Sequence, residues 1–237
     1  MGCADEMGGE PWNPDSCMGI RTCQHFFYPP MPSSTNAPPL FHPLLRTLAA
    51  VPVSSHILDL GCGHGRHTEA LLRLGFPVHA CDPDPDAVDA TRERIVPLLD
   101  DADTAEQCVR VASFDGLDDL EDAFDWIVAA ELERLVETVD DLRDLLVAAR
   151  RLLKPGGWLY GVAPAAAVDR SREEHSAGDG ASAPIPEETE VPFTIQTLED
   201  LREDVGLALS SAPEIDDDGP VPRVHAIYRH VTTETPM

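Results

Sequence analysis

A chain of 237 residues has room for one generous α/β domain with appendages, and a second full-sized domain would be cramped. Hydrophobic residues make up 43% of it but aromatic ones only 5%, so a core can form and must be packed with aliphatic side chains. Acidic residues number 43 against 17 basic ones, and the formal charge of -26 repels nucleic acid and anionic membrane surfaces, which leaves a small molecule as the expected partner.

Residues 1–39 are rich in Gly, Pro, Ser and Met, and Pro29, Pro30, Pro32, Pro38 and Pro39 block regular structure at their end, so this stretch reads as a leader or arm ahead of one domain at 40–237. Leu44, Leu45 and Leu48 then repeat at helical spacing. Strands and helices alternate from there: strand 56–60, helix 66–74, strand 77–81, helix 85–95, strand 108–113, strand 124–129, helix 139–153 and strand 157–162. A third crossover helix, weakly marked, is expected between Phe114 and Asp125. Along the helix at 139–153 and just past its end, Arg143, Arg150, Arg151 and Lys154 are interleaved with Asp140, Asp141 and Asp144, the pattern of a solvated face with internal charge pairs. Residues 164–192 are poor in large apolar side chains and read as a mobile insertion. A last helix carries Leu198, Leu201 and Val205, opened by Thr194 or Thr197 and closed by Gly206. Strands near 207–212 and 223–231 flank the turn signal Asp216–Pro220 and are expected to pair as a closing hairpin. The alternation predicts a doubly wound, mostly parallel α/β sheet of seven strands, with helices on both faces and an antiparallel C-terminal hairpin.

The chemistry-bearing segment is His56-Ile57-Leu58-Asp59-Leu60-Gly61-Cys62-Gly63-His64-Gly65-Arg66. A buried strand runs into a loop with glycine at every second position, and a helix starts directly after it. Glycine permits the sharp turn and lets a ligand approach the backbone and the helix N-terminus. The dinucleotide pattern Gly-x-Gly-x-x-Gly fails, because Arg66 stands where its last glycine belongs, and this disfavours a nucleotide-dependent oxidoreductase. Val78–Asp82 is a short strand ending in an acid about twenty positions beyond the first glycine, the place from which a carboxylate accepts hydrogen bonds from ribose hydroxyls.

The pattern Asp59-x-Gly61-x-Gly63-x-Gly65, followed by Asp82, resembles the first motifs of class I S-adenosylmethionine-dependent methyltransferases. Val109–Gly116 resembles that family's third strand and following acid, and Phe124–Glu131 its fourth strand. Leu152–Leu159 matches the helix stop before the fifth strand. The resemblance implies S-adenosyl-L-methionine as cofactor, held by Asp59, Gly61, Cys62, Gly63, Gly65 and Asp82, with Pro83 against the adenine, Asp115 near its amino group and Glu131 at the mouth of the substrate pocket. It also implies methyl transfer to a small molecule by in-line displacement, with no dedicated catalytic residue required. Where many relatives carry Leu-x-His, this chain has Leu132-Glu133-Arg134. His64 and His67 flank the loop as candidate bases, and Phe27 and Tyr28 are candidates for a cap over the cofactor. Intact glycines and Asp82 argue against an empty pocket, though a non-catalytic cofactor-binding module or partner subunit is the alternative.

Six cysteines show no regular framework, and Cys3, Cys17 and Cys23 with His25 match no standard zinc spacing, so no metal is expected. Reduced thiols and a cytoplasmic setting follow from the cysteine pattern and from the absence of any apolar run as long as a membrane span.

Overall fold

A computed structural model describes residues 42–99, 102–165, 194–216 and 222–231. Helix α1 (His42–Leu48) is followed by β1 (Ile57–Leu60), α2 (Arg66–Arg73), β2 (Val78–Asp82) and α3 (Pro85–Ile95). Then come α4 (Ala102–Cys108), β3 (Val109–Val111), β4 (Phe124–Ala129), α5 (Val139–Leu152) and β5 (Leu153–Pro164). The chain closes with α6 (Ile195–Val205), β6 (Leu207–Leu209), β7 (Glu214–Asp216) and β8 (Arg223–His230).

Strand order across the sheet is β3-β2-β1-β4-β5-β8-β6, with β7 also paired to β8. The first five of these neighbours run parallel, and β8 is antiparallel to β5, β6 and β7. Every residue of β1 and β2 is buried, as expected of central parallel strands covered on both faces. Chain direction across the sheet reverses between β1 and β4, which opens a crevice at the C-terminal ends of those strands.

Alternation along the strands divides the core in two. Ile57, Val78, Ala80, Trp126, Val128 and Tyr160 pack with Leu44, Leu71 and Val88 of α1, α2 and α3. Leu58, Leu60, Ile127, Ala129 and Leu159 pack with Leu142, Leu145 and Leu198 of α5 and α6. Local signals set the helix ends. Asp84 caps α3 by accepting from the N–H of Asp86, with Pro85 in the first turn. Thr138 and Asp141 form a capping box on α5. Thr194 caps α6, and Gly206 closes it at φ 70°.

Several expectations are corrected. The sheet has eight strands rather than seven: the strand expected near 207–212 ends at Leu209, and a further short strand, Glu214–Asp216, forms beyond it, just after Pro213, which has no N–H to give a ladder. The helix expected between Phe114 and Asp125 is only a 3-10 turn, Phe114–Gly116, and an unexpected helix, α4, precedes β3 instead. β5 begins at Leu153, with Pro155 and Gly156 inside it where the register with β4 shifts, instead of starting after them. Cys62 and Cys81 are free and buried. The leader at 1–39, with Phe27, Tyr28, Cys3, Cys17, Cys23 and His25, lies outside the described residues, as does 166–192 of the expected insertion; Pro164 belongs to β5. Among the described residues no helix is long and apolar enough to cross a membrane.

Candidate functional site

The loop from Gly61 to Gly65 turns at the end of β1 against β2: the N–H groups of Gly61 and Cys62 both donate to the carbonyl of Cys81, at 2.9 and 3.0 Å. Gly61, Gly63 and Gly65 adopt φ values of 73°, 52° and 74°, the left-handed region that side chains disfavour. A Cβ on Gly61 would stand 2.6 Å from Leu135 Cδ2, and one on Gly65 2.8 Å from Thr91 Cγ2, so both positions are filled by packing. Gly63 differs. The nearest atom to a Cβ there is Arg134 Nη1 at 3.6 Å, which leaves a cradle with backbone as its floor.

Asp82 and the loop meet directly. The Gly63 N–H donates to Asp82 Oδ2 at 2.8 Å, and the Asp84 N–H donates to Oδ1 at 3.0 Å. Each carboxylate oxygen retains a lone pair for a further donor, and the group is held in place before any ligand arrives. On its other side the Gly63 peptide is fixed by the Thr91 hydroxyl, which donates to its carbonyl at 2.7 Å.

Asp59 lies beneath the loop, 1% exposed, and accepts from the Thr68 hydroxyl at 2.6 Å. Burial raises its carboxyl above the ordinary range, and burial likewise lowers the neighbouring His67 imidazole. Asp59 is therefore a support for the start of α2 and does not line the cradle with its side chain. Cys62 also faces inward: its Sγ is 3.7 Å from the Thr91 hydroxyl, its N–H is spent on Cys81, and burial pushes its thiol up. Pro83 is exposed just beyond Asp82. Asp115 is exposed on the 3-10 turn after β3, accepting from the Ser113 hydroxyl, and the Ala112 N–H ties this segment to the carbonyl of Asp82 at 3.1 Å.

Glu131 follows β4 and joins it to the start of α2, with Arg66 Nη2 at 3.4 Å and Arg134 Nη1 at 3.1 Å. Beside it Glu133 faces Arg223 at 3.5 Å, and burial raises its carboxyl. His64 is exposed. Thr91, Thr68 and Arg134 are parts of the site that motif reading missed. Thr91 sits on the buried face of α3 and looks like core, whereas Arg134 carried a signal, since it is where the chain departs from Leu-x-His.

Among the described residues no group of His, Cys, Asp and Glu could hold a metal. A cavity of about 270 Å³ lies elsewhere, between α1 and the β7–β8 edge, lined by Arg46, Thr47, Glu214 and His225 among others. It contains none of the loop residues.

A doubly wound sheet with a glycine-lined turn and an anchored acid at its reversal point defines a nucleoside-binding domain of the Rossmann-like kind. The chain belongs to the methyltransferase-domain family, which it matches over residues 35–212. It is 36% identical over 107 residues to the human mitochondrial ubiquinone biosynthesis O-methyltransferase, covering 44% of this chain and 27% of that protein. A ubiquinone biosynthesis O-methyltransferase of Xanthomonas oryzae pv. oryzae is 34% identical over 108 residues, covering 45% and 41%. The chain thus spans less than half the length of either relative. Among solved structures, an S-adenosylmethionine-dependent methyltransferase from Methanosarcina mazei superposes with a TM-score of 0.60 at 19% identity, over 81% of this chain and 98% of that one. The 1,6-didemethyltoxoflavin-N1-methyltransferase of Burkholderia thailandensis, solved with S-adenosylhomocysteine bound, gives 0.52 at 19% identity, over 76% and 72%.

Proposed function

We propose that this chain transfers a methyl group from S-adenosyl-L-methionine to a small-molecule acceptor by in-line displacement. The observation that carries the reading is the 2.8 Å bond from the Gly63 N–H to Asp82, which makes the loop and the acid one preformed cradle. Asp82 has lone pairs left for ribose hydroxyls, Gly63 offers bare backbone, and Asp115 extends the site toward the end of β3. When bound, the cofactor supplies a methyl group already made electrophilic by its sulfonium. The chain has to hold the acceptor in line with that methyl and keep water out, since positioning supplies most of the rate. An acceptor hydroxyl must also give up a proton; Glu133, whose carboxyl is raised by burial, and His67, whose imidazole is lowered by burial, are groups near Glu131 able to take it.

A small acceptor is favoured by the charge of -26 and by relatives named for ubiquinone biosynthesis and toxoflavin methylation. The test is release of S-adenosylhomocysteine from S-adenosylmethionine as fractions of a metabolite extract are added. At least one small-molecule fraction is expected to drive release. Tight cofactor binding with no fraction driving turnover would point instead to a non-catalytic binding module.

A further inference from the structure

The cavity between α1 and the β7–β8 edge, about 270 Å³ in volume, takes no part in the cofactor cradle. Its polar groups come from three elements: Arg46 and Thr47 on α1, Glu214 on β7 and His225 on β8, with Pro43 and Ile227 as apolar wall. His225 is 3% exposed and bonded through Nδ1 to the buried Tyr160 hydroxyl at 2.5 Å. Burial raises the Tyr160 phenol and lowers the His225 imidazole, each toward its uncharged form, so the charge around the cavity comes from other groups.

Residues two apart on a strand share a face, and Glu214 and Asp216 of β7 accordingly act together on both rings. His225 Nε2 lies 3.8 Å from Asp216 Oδ2. Against these carboxylates stand Arg46, 3.3 Å from Glu214, and Arg223, which is matched by Glu133 at 3.5 Å. With Arg223 so matched, two carboxylates face one guanidinium, and the chain's overall charge of -26 adds to the imbalance. Excess negative charge around a cavity favours a cation. Among the described residues no group of His, Cys, Asp and Glu could hold a metal ion, so the positive charge has to arrive on an organic molecule.

The Arg46–Glu214 pair joins side chains 71% and 60% exposed, and such pairs add little to stability, so Glu214 can exchange Arg46 for another cation at small cost. The Thr47 hydroxyl donates to the Pro43 carbonyl at 2.8 Å and keeps lone pairs for an incoming donor. The volume falls below the roughly 300–1,000 Å³ of drug-sized sites and suits a molecule of a few carbons.

We propose that this cavity is a second binding site, separate from the cofactor cradle, for a small protonated alkylamine. The ammonium donates to Glu214 and to the Thr47 hydroxyl oxygen, the carbon chain lies against Pro43 and Ile227, and Arg46 turns out to solvent as the amine enters.

Nuclear magnetic resonance titration of the full chain with n-butylamine at about pH 7, where an alkylamine is protonated, tests this. The His225 ring reports on the site and is identified by its Overhauser contact with the Tyr160 ring, whose centroid is 5.8 Å away. Its signals are expected to shift and saturate, with half-saturation at about 1–10 mM. Glu214→Gln is expected to weaken binding by about fivefold or more, and the exposure of that side chain lets the variant keep the fold. Asp140→Asn on α5, where the side chain is 85% exposed, removes the same charge from another element and is expected to leave half-saturation unchanged. The assignment is overturned by no saturating shift in the wild type, by unchanged binding in Glu214→Gln, or by equal weakening in Asp140→Asn. Binding of n-butyrate as tight as that of n-butylamine overturns it too.

Discussion

Adding one methyl group at Gly65 perturbs the loop in a way the structure makes calculable. Gly65→Ala would put a Cβ at φ 74°, which costs about 1–2 kcal/mol for an L-residue in the left-handed region. It would also stand 2.8 Å from Thr91 Cγ2, 2.9 Å from its Oγ1 and 3.1 Å from its Cα, and backbone cannot move aside as a flexible side-chain end can. Displacing Thr91 breaks its 2.7 Å bond to the Gly63 carbonyl, a further loss of about 1 kcal/mol. The expected total is about 2–3 kcal/mol, or a fall of about 5–10 °C in melting temperature for a chain of this size. Gly75→Ala is the control: its φ is 93° and nothing lies within 4 Å of the new Cβ, so it should cost only the backbone strain of about 1–2 kcal/mol. Urea unfolding of both variants measures the difference, expected to be about 1 kcal/mol or more, and cofactor affinity should fall in the Gly65 variant alone. Equal destabilisation by the two alanines would refute the claim that Thr91 locks the loop.

Other consequences follow from the buried polar groups. Thr68→Val removes the hydroxyl from Asp59, a carboxylate 1% exposed, and should destabilise the fold by about 1–3 kcal/mol in chemical denaturation, with Thr68→Ser recovering most of it. His225 accepts or donates at 2.5 Å to the Tyr160 hydroxyl, and burial holds its imidazole below the ordinary value of 6.5 against the pull of Asp216. A depressed folded value means that its contribution to stability is present above 6.5 and is lost as pH falls toward the folded value. His225→Gln should therefore show a smaller drop in melting temperature than the wild type between about pH 7.5 and about pH 5.5; parallel curves would mean that folding leaves the His225 imidazole at its ordinary value.

The β1-loop-α2 segment and Asp82 could be found in the sequence because their requirements are local: alternating glycines admit few backbone paths, and an acid closing a short apolar strand has one obvious place to be. The helix α4 was hidden because only Ala105 and Cys108 of its residues are buried, which gives no apolar stripe to read. The crossover between β3 and β4 was overread, since Leu117 and Leu120 are buried with helical spacing but form no more than turns. The side chain of Asp59 accepts from Thr68 and that of Cys62 faces Thr91, tertiary contacts that a place in a motif does not reveal. Thr91 reaches the loop from α3, a contact made by tertiary packing that no local pattern encodes, whereas Arg134, from beyond β4, is marked only by the departure from Leu-x-His.

The central claim is that the Gly61–Gly65 turn and the Asp82 carboxylate form one cradle for a sulfonium nucleoside. Calorimetry of S-adenosylhomocysteine with the wild type and with Asp82→Ala tests it most directly. One-to-one binding by the wild type, weakened by about 1–3 kcal/mol in the variant, is the expected result. Indistinguishable affinities, or no binding by the wild type, would contradict it.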